Sequence, residues 1–328
     1  MKRWPQYILS IAVSIGIFYA LSRIVSFTEA ATIWERLDTP LVVAAFLTYM
    51  LVNLFRAWRT FLILDKKIPF YRLYLITTVH ILANNLLPAR TGEFSYIYLI
   101  RKDGNVDSAE NVSSLILSRI LDAITASSFV LLSLIFVSRS LQYAHAKTVI
   151  GTALVGFSVI AVISALLIFY GRKISGLIRA FTDRLELNPA GLMRRLFSLA
   201  ERSIEKLSDA YMKGNALTLV ALSFSLWVLV FGMFWLVFLS LGIHLSFWQS
   251  VFIATFPIII STLPIQPFGG FGAHESSVML SLTILGVDRE TAFGVGLASH
   301  IITLCFFIII GISSYILLYR HNKKKIVS

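Results

Sequence analysis

Charged residues are scarce in this chain of 328 residues, where they make up 14% of the sequence. Soluble domains carry roughly 25%, so most helices of this chain would have no solvated face. Hydrophobic residues reach 57%, and the mean hydropathy is +0.80. This composition excludes a cytosolic enzyme, a disordered protein and a secreted disulfide scaffold. It predicts an all-α polytopic membrane protein in which residues 1–328 form a single membrane domain.

Cysteine and the common signatures of catalysis are also missing or rare. Cys305 is the only cysteine, so no intrachain disulfide can form. The sequence contains no HExxH, GxSxG or P-loop motif, which would indicate a zinc protease, a serine hydrolase or a nucleotide site. We therefore expect neither a metal site nor a cofactor.

Long apolar runs are what the chain has instead, and a helix that crosses a bilayer needs about 20 apolar residues. Lys2 and Arg3 place the N-terminus inside, and 22 of the 29 Lys and Arg residues then fall on cytoplasmic segments. This asymmetry is typical of a multi-pass protein of the cytoplasmic (inner) membrane with both termini in the cytoplasm. It also explains most of the net charge of +12 without nucleic acid as a partner. The six predicted spans are 6–27, 40–63, 113–138, 148–171, 216–241 and 291–319.

The longest polar stretch, 172–215, is predicted to connect two halves of the protein on the cytoplasmic side. Leu192, Leu196, Leu199 and Leu207 fall on one helical face, with charged residues mostly elsewhere. Such an amphipathic helix is expected to lie at the membrane surface against anionic lipids. A regulatory or partner-binding role is the alternative.

Two apolar stretches, 73–101 and 247–287, are interrupted by proline, glycine and charge. Proline and glycine break helices, and broken backbone at membrane depth is tolerated only inside protein or beside water. The charge pattern places both ends of 73–101 inside and both ends of 247–287 outside. We therefore predict two re-entrant helical hairpins, the first cytoplasmic and the second extracytoplasmic.

The order of these segments predicts an inverted repeat. Each half contains a span, a hairpin and a second span, and the halves 40–138 and 216–319 have opposite orientations. Interrupted segments at matching positions in two halves indicate a transporter binding site near the middle of the bilayer.

Each hairpin tip should restart a helix, and the free N–H groups of a helix start attract anions. Arg90 would add a full positive charge and Thr91 a helix cap, while glycines let backbone approach a ligand. Asn84 and Asn85 are expected to bind either broken backbone or substrate. The candidate substrate-binding residues are Asn84, Asn85, Arg90, Thr91, Gly92, Glu93, Gly269, Gly270, Gly272, His274 and Glu275.

The few charges inside apolar stretches are expensive and mostly functional. Arg119 and Asp122 lie at i and i+3 and so share a helix face. They would form an internal salt bridge, or balance charge and conduct protons together with Glu93 and Glu275. Both glutamates have a structural alternative, because a carboxylate at a tip can cap backbone N–H groups. His80 and His300 are expected to be polar residues of helix packing.

Residues 84–93, NNLLPARTGE, resemble the signature N-N-x-L-P-A-R-x-G-E of the lysylphosphatidylglycerol synthase transmembrane region, or flippase-like domain family. Residues 264–275, PIQPFGGFGAHE, resemble its second signature, P-x-x-P-G-G-x-G-x-x-E. Phe268 is an insertion in that pattern, and His274 stands where members often carry Arg. The resemblance implies lipid handling. Multidomain members also have a soluble aminoacyl-transferase domain, for which this chain leaves no room, so we do not expect lysyl transfer.

The predicted function is a lipid flippase or transporter for an anionic or phosphate-bearing lipid, which could be a glycolipid or a polyprenyl phosphate. One alternative is a membrane-embedded transferase acting on a lipid-linked substrate. Another is a small-anion channel or exchanger, because opposed helix ends also suit chloride. The arrangement is compatible with a monomer or a homodimer.

Overall fold

The computed structural model describes residues 32–87, 91–102, 106, 108–138, 170–185, 191–212, 216–262 and 267–327, and isolated positions at 16, 19, 159, 162, 163 and 166. Within these ranges every regular element is helical. Two short 3-10 turns, Thr32–Arg36 and Phe268–Gly270, accompany the α-helices. The helices are α1 (Thr39–Ile63), α2 (Phe70–Leu86), α3 (Glu93–Lys102), α4 (Ser108–Val137), α5 (170–184), α6 (Leu192–Met212), α7 (Ala216–Ser240), α8 (Phe247–Thr262), α9 (Ala273–Ile284) and α10 (Arg289–Val327).

Four helices of the described part are long and apolar enough to cross a membrane. They are α1, Glu110–Val137 of α4, α7, and Arg289–Arg320 of α10. They coincide with four of the six predicted spans and confirm an all-helical, multi-pass membrane protein. The spans predicted at 6–27 and 148–171 lie almost entirely outside the described residues.

The two interrupted stretches form two helix pairs, each broken where the proline and glycine residues predict. The first pair is α2 and α3, the second α8 and α9, and the two helices of each pair pack against one another. With 10 and 12 residues, α3 and α9 are about 15–18 Å long, well short of the hydrocarbon core of about 30 Å. These lengths suit re-entrant hairpins, which stay a prediction.

Helix starts are fixed by local capping. Asp38 caps α1 by accepting a hydrogen bond from the backbone N–H of Leu41 at 3.1 Å, with proline in the first turn. Asp288 caps α10 in the same way, accepting from the N–H of Thr291 at 2.8 Å. This hydrogen bond lowers the pKa of Asp288, which lies in the turn before α10. Such caps satisfy N–H groups that have no partner inside the helix.

The helix contacts are reciprocal between the two halves. The first spans α1 and α7 pack on each other, α2 packs on α10, and α8 packs on α4. The first arm of each broken pair therefore lies against the last helix of the other half. Gly311 permits the α2–α10 contact, because a Cβ there would lie 2.6 Å from Cβ of Leu82.

The predicted amphipathic helix corresponds to α6, which packs on α4 and α7. Arg179 on α5 ties the two connector helices together by donating to Glu201 at 2.6 Å and Glu205 at 3.1 Å. Met193 and Leu196 are more than half exposed. Contact with anionic lipid at the cytoplasmic surface stays a prediction.

Candidate functional site

A cavity of about 630 Å³ lies where the two broken helix pairs meet. All eight helices of the two halves contribute to its wall. Three arginines, two carboxylates and two amides give it a polar side, and the turn at Gly269 and Gly270 also lines it. The polar and charged residues that line it include Arg56, Arg59, Thr77, His80, Asn84, Asn85, Glu93, Arg119, Asp122, His274, His300 and Thr303.

Glycine and histidine contacts hold the described part of the first break. Gly92 packs directly on α2, where a Cβ would overlap the backbone of Ala83 and Asn84. Nδ1 of His80 donates to the carbonyl oxygen of Gly92 at 3.2 Å. His80 therefore fixes the tip of this pair in addition to packing against Tyr96.

The two predicted asparagines both line the cavity but differ in their hydrogen bonding. Asn85 donates to the carbonyl oxygen of Ile81 at 2.9 Å, so its amide group binds helix backbone. Oδ1 of Asn84 is buried and finds no hydrogen-bond donor among the described residues. Asn84 is thus the better placed of the two to meet a ligand.

Charged side chains form a continuous chain along one wall. Arg59 donates to Oδ1 of Asp122 at 2.7 Å and to Ser223 at 3.0 Å. Arg119 donates to Oε1 of Glu93 at 2.9 Å, and its Nη1 lies 3.8 Å from Oδ2 of Asp122. The expected Arg119–Asp122 pair is therefore the longer contact, and the main partner of each residue comes from another helix.

Arg56 differs from the other two arginines of the cavity. It lies three positions before Arg59 on α1 and lines the cavity. Its guanidinium forms no hydrogen bond or ion pair with any residue in the described ranges. With Arg56, Arg59 and Arg119 against Glu93 and Asp122, this wall has an excess of positive charge.

The second break is built on left-handed glycines and one buried carboxylate. Gly269, Gly270 and Gly272 have φ values of 61°, 76° and 87°, which only glycine adopts readily. Glu275 is fully buried, and its Oε2 accepts the backbone N–H of Gly272 at 2.7 Å. This hydrogen bond caps backbone N–H at the turn, which is the structural alternative that the sequence offered for Glu275. Its Oε1 lies 2.7 Å from Nδ1 of His300.

His274 lines the cavity beside that pair. Its ring stacks on His300, with centroids 4.5 Å apart and an interplanar angle of 17°. Its Nε2 lies 3.5 Å from Oγ of Ser299. Two imidazoles thus stand where the resemblance suggests one arginine.

Most of the predicted site residues converge on this cavity. Asn84, Asn85, Glu93, Arg119, Asp122, Gly269, Gly270 and His274 line it, whereas Gly92, Gly272 and Glu275 shape the turns behind it. Thr91 lies in the first turn, and Arg90 lies outside the described residues.

Sequence reasoning missed Arg56 and Arg59 as site residues. The 22 Lys and Arg residues that the charge pattern places on cytoplasmic segments include both, although both fall inside the predicted span 40–63. The rule that charge within a span is costly and functional would have identified them. His300 was assigned to packing, and its bond to Glu275 joins residues 25 positions apart, which no local pattern reveals.

The profile of one protein family, described as the lysylphosphatidylglycerol synthase TM region, matches residues 7–311. The chain belongs to this family. It is also 23% identical over 244 residues to UPF0104 membrane protein MJ1078 of Methanocaldococcus jannaschii, a match that covers 74% of this chain and 96% of the relative. No solved structure gives a significant match.

Proposed function

We propose that this family member moves an anionic phospholipid, glycolipid or polyprenyl-phosphate lipid between the leaflets of the cytoplasmic membrane. The head group would pass through the cavity between the two broken helix pairs. The observation that supports this most is the arginine excess on the cavity wall, and in particular Arg56. Arginine in a site of low dielectric is a strong partner for phosphate because it donates charge-assisted hydrogen bonds.

The size of the cavity and its apolar wall indicate that it would bind the head group of a lipid rather than the whole lipid. A volume of about 630 Å³ is in the range of roughly 300–1,000 Å³ typical of small-molecule sites. The acyl chains would therefore remain in the bilayer. The apolar part of the wall would accept the first carbons of those chains and includes Val230, Met233, Phe234, Ile258 and Phe307.

The reciprocal helix contacts support an inverted repeat as the basis of transport. If α1–α4 and α7–α10 are related by a pseudo-two-fold axis, the two helix pairs are re-entrant hairpins facing opposite sides. Transporters of this design alternate between openings by moving one repeat against the other. The basic residues of the sequence support an orientation with both termini in the cytoplasm.

The test is lipid movement in proteoliposomes that carry a trace of fluorescent phosphatidylglycerol or phosphatidylcholine. A membrane-impermeant quencher reports the fraction of label in the outer leaflet. The wild-type protein should move the anionic lipid faster than the zwitterionic one. Arg56→Gln should slow this by about tenfold or more, since losing a charge-assisted hydrogen bond costs roughly 1.5–3 kcal/mol.

Two variants control this experiment. Arg56→Lys keeps the charge and should retain more activity than Arg56→Gln. Arg101→Gln removes an exposed arginine of α3, which is absent from the cavity wall, and should match wild type. Unchanged movement in Arg56→Gln would reject the site. Flux of chloride or phosphate with no lipid movement would select a channel instead.

A further inference from the structure

A carboxylate and a histidine are buried together behind the second turn. Glu275 is 0% exposed, its Oε2 accepts the N–H of Gly272, and its Oε1 lies 2.7 Å from Nδ1 of His300, which donates to it in the Nδ1–H tautomer. Two donors of this kind satisfy an ionised carboxylate. With the Nδ1 proton in the bond to Glu275, the pair has a charge of −1 and the free nitrogen of His300 is Nε2.

The free nitrogen of His300 is directed toward the cavity turn. A Cβ at Gly270 would lie 3.6 Å from Nε2 of His300, and both residues line the cavity. Glu275 itself does not line it. His300 is therefore the group through which a proton from cavity water can reach the buried charge.

Protonation would change the charge seen by a ligand. When Nε2 takes a proton from the aqueous phase, Nδ1–H keeps its bond to Glu275, and the charge of the pair goes from −1 to 0. His274 stacks on His300 at 4.5 Å, and two positive imidazoles at that distance repel each other. The stack therefore admits one proton rather than two.

The other titratable groups facing this pair lie across the cavity. The only titratable residue that α10 contributes to the wall is His300, and α8 and the described part of the second turn contain no titratable residue. Arg36, in the 3-10 turn that contacts α10, is beside Gly242 at the far end of the bundle. The facing groups are Tyr49, Arg56 and Arg59 on α1, His80 on α2, Glu93 and Tyr96 on α3, and Arg119 and Asp122 on α4.

We propose that the Glu275–His300 pair is a proton-binding site that couples proton uptake to binding of the anionic head group. The coupling rests on the lipid transport proposed above. A proton removes the net negative charge of the second turn, while the arginines of α1 and α4 attract the head group from the other side. By linkage, the bound anion strengthens proton binding by the same factor. Lipid and proton would then cross together.

The first measurement needs no lipid. Protein containing ¹⁵N-labelled histidine is placed in nanodiscs and titrated from pH 8 to pH 5 by NMR. His300 should gain a proton at Nε2 while Nδ1–H stays bonded, and His274 should remain neutral. The His300→Asn variant identifies the signal, and His244→Asn, at an exposed residue outside the cavity, is the matched control. A His300 that stays neutral throughout, or two histidines that titrate independently, would overturn the proposal.

The second measurement is the affinity for dihexanoyl-phosphatidylglycerol at pH 6 and pH 8. Wild type should bind at least about fivefold more tightly at pH 6, the lower end of typical coupling. His300→Asn retains a donor for Glu275 but cannot take up the proton, so its affinities should differ by less than about twofold. Equal wild-type affinities at both pH values, or full pH dependence in His300→Asn, would reject the coupling.

Thermal unfolding checks that the variants fold. The variant Glu275→Gln provides an independent test of proton binding by the Glu275–His300 pair. Its amide oxygen still accepts from Gly272, but its neutral side chain no longer stabilises a charged His300. Proton uptake by His300 in this variant should need a lower pH than in wild type, and an unchanged titration would contradict the proposal. Absence of lipid binding and movement at every pH would reject the transport function, and the histidine titration would still decide whether the pair binds a proton.

Discussion

Asp122 is one of the residues that join the two halves of the protein on the polar wall. Its Oδ1 accepts from Arg59 of α1 at 2.7 Å and from the indole N–H of Trp227 of α7 at 3.2 Å. Arg59 is 1% exposed. A buried charge that loses its partner is strongly destabilising, whereas replacing both partners by apolar groups is often nearly neutral.

We therefore predict that substitutions of Arg59 and Asp122 have strongly non-additive effects on the free energy of unfolding. Arg59→Met and Asp122→Leu should each lower the free energy of unfolding by roughly 3–5 kcal/mol, because each leaves a buried charge. The double variant should lose clearly less than the sum, as measured by denaturant unfolding in detergent. Additive losses would show that the contact does not stabilise the fold.

The spacing of Arg119 and Asp122 shows what could be predicted at this scale. Their shared helix face follows from i and i+3 positions. Their main partners, Glu93 and Arg59, come from other helices. Those contacts depend on how the helices are arranged in space, and sequence spacing contains no information about that.

At the scale of elements, the first break depends on the contact between Gly92 and α2. A side chain there would overlap the backbone of Asn84, and a backbone atom cannot rotate away as a side-chain end can. Gly232 of α7 offers a matched control, because nothing lies within 4 Å of its Cβ position.

Gly92→Ala is therefore expected to destabilise the protein by about 1–3 kcal/mol or more through overpacking. Gly232→Ala should be neutral or stabilising by up to about 1 kcal/mol, since alanine favours the helix. Thermal unfolding of both variants measures the difference. Equal stability of the two variants would mean that the tip has room to relax and that the α2–α3 contact is loose.

The positions of both breaks could be predicted because proline and glycine act locally on the backbone. Leu87 is extended at ψ 138°, as a residue before proline should be. The inverted order of the segments implies that a contact in one half has a counterpart in the other. It does not say which helices pack together, such as α2 on α10 and α8 on α4. The exact partners follow from side-chain fit, such as Gly311 against Leu82.

At the scale of the whole molecule, one cavity collects the charges that a hydrophobic chain can least tolerate. Scarcity of charge predicted that the few intramembrane charges would matter, and the structure brings most of them to one cavity. The arginines of α1 escaped that prediction because they lie close to the end of a span that the charge pattern predicts to be cytoplasmic. There a flanking charge and a functional charge look alike in sequence.

The account is tested most directly by a structure of the protein in nanodiscs that contain the anionic lipid it moves. We predict phosphate density within hydrogen-bonding distance of Arg56 and Arg119, between the turn at Gly92 and the turn at Gly269–Gly270, with acyl chains leaving the cavity for the bilayer. A cavity that holds only a bare ion, or a lipid phosphate bound elsewhere with Arg56 unoccupied, would contradict it.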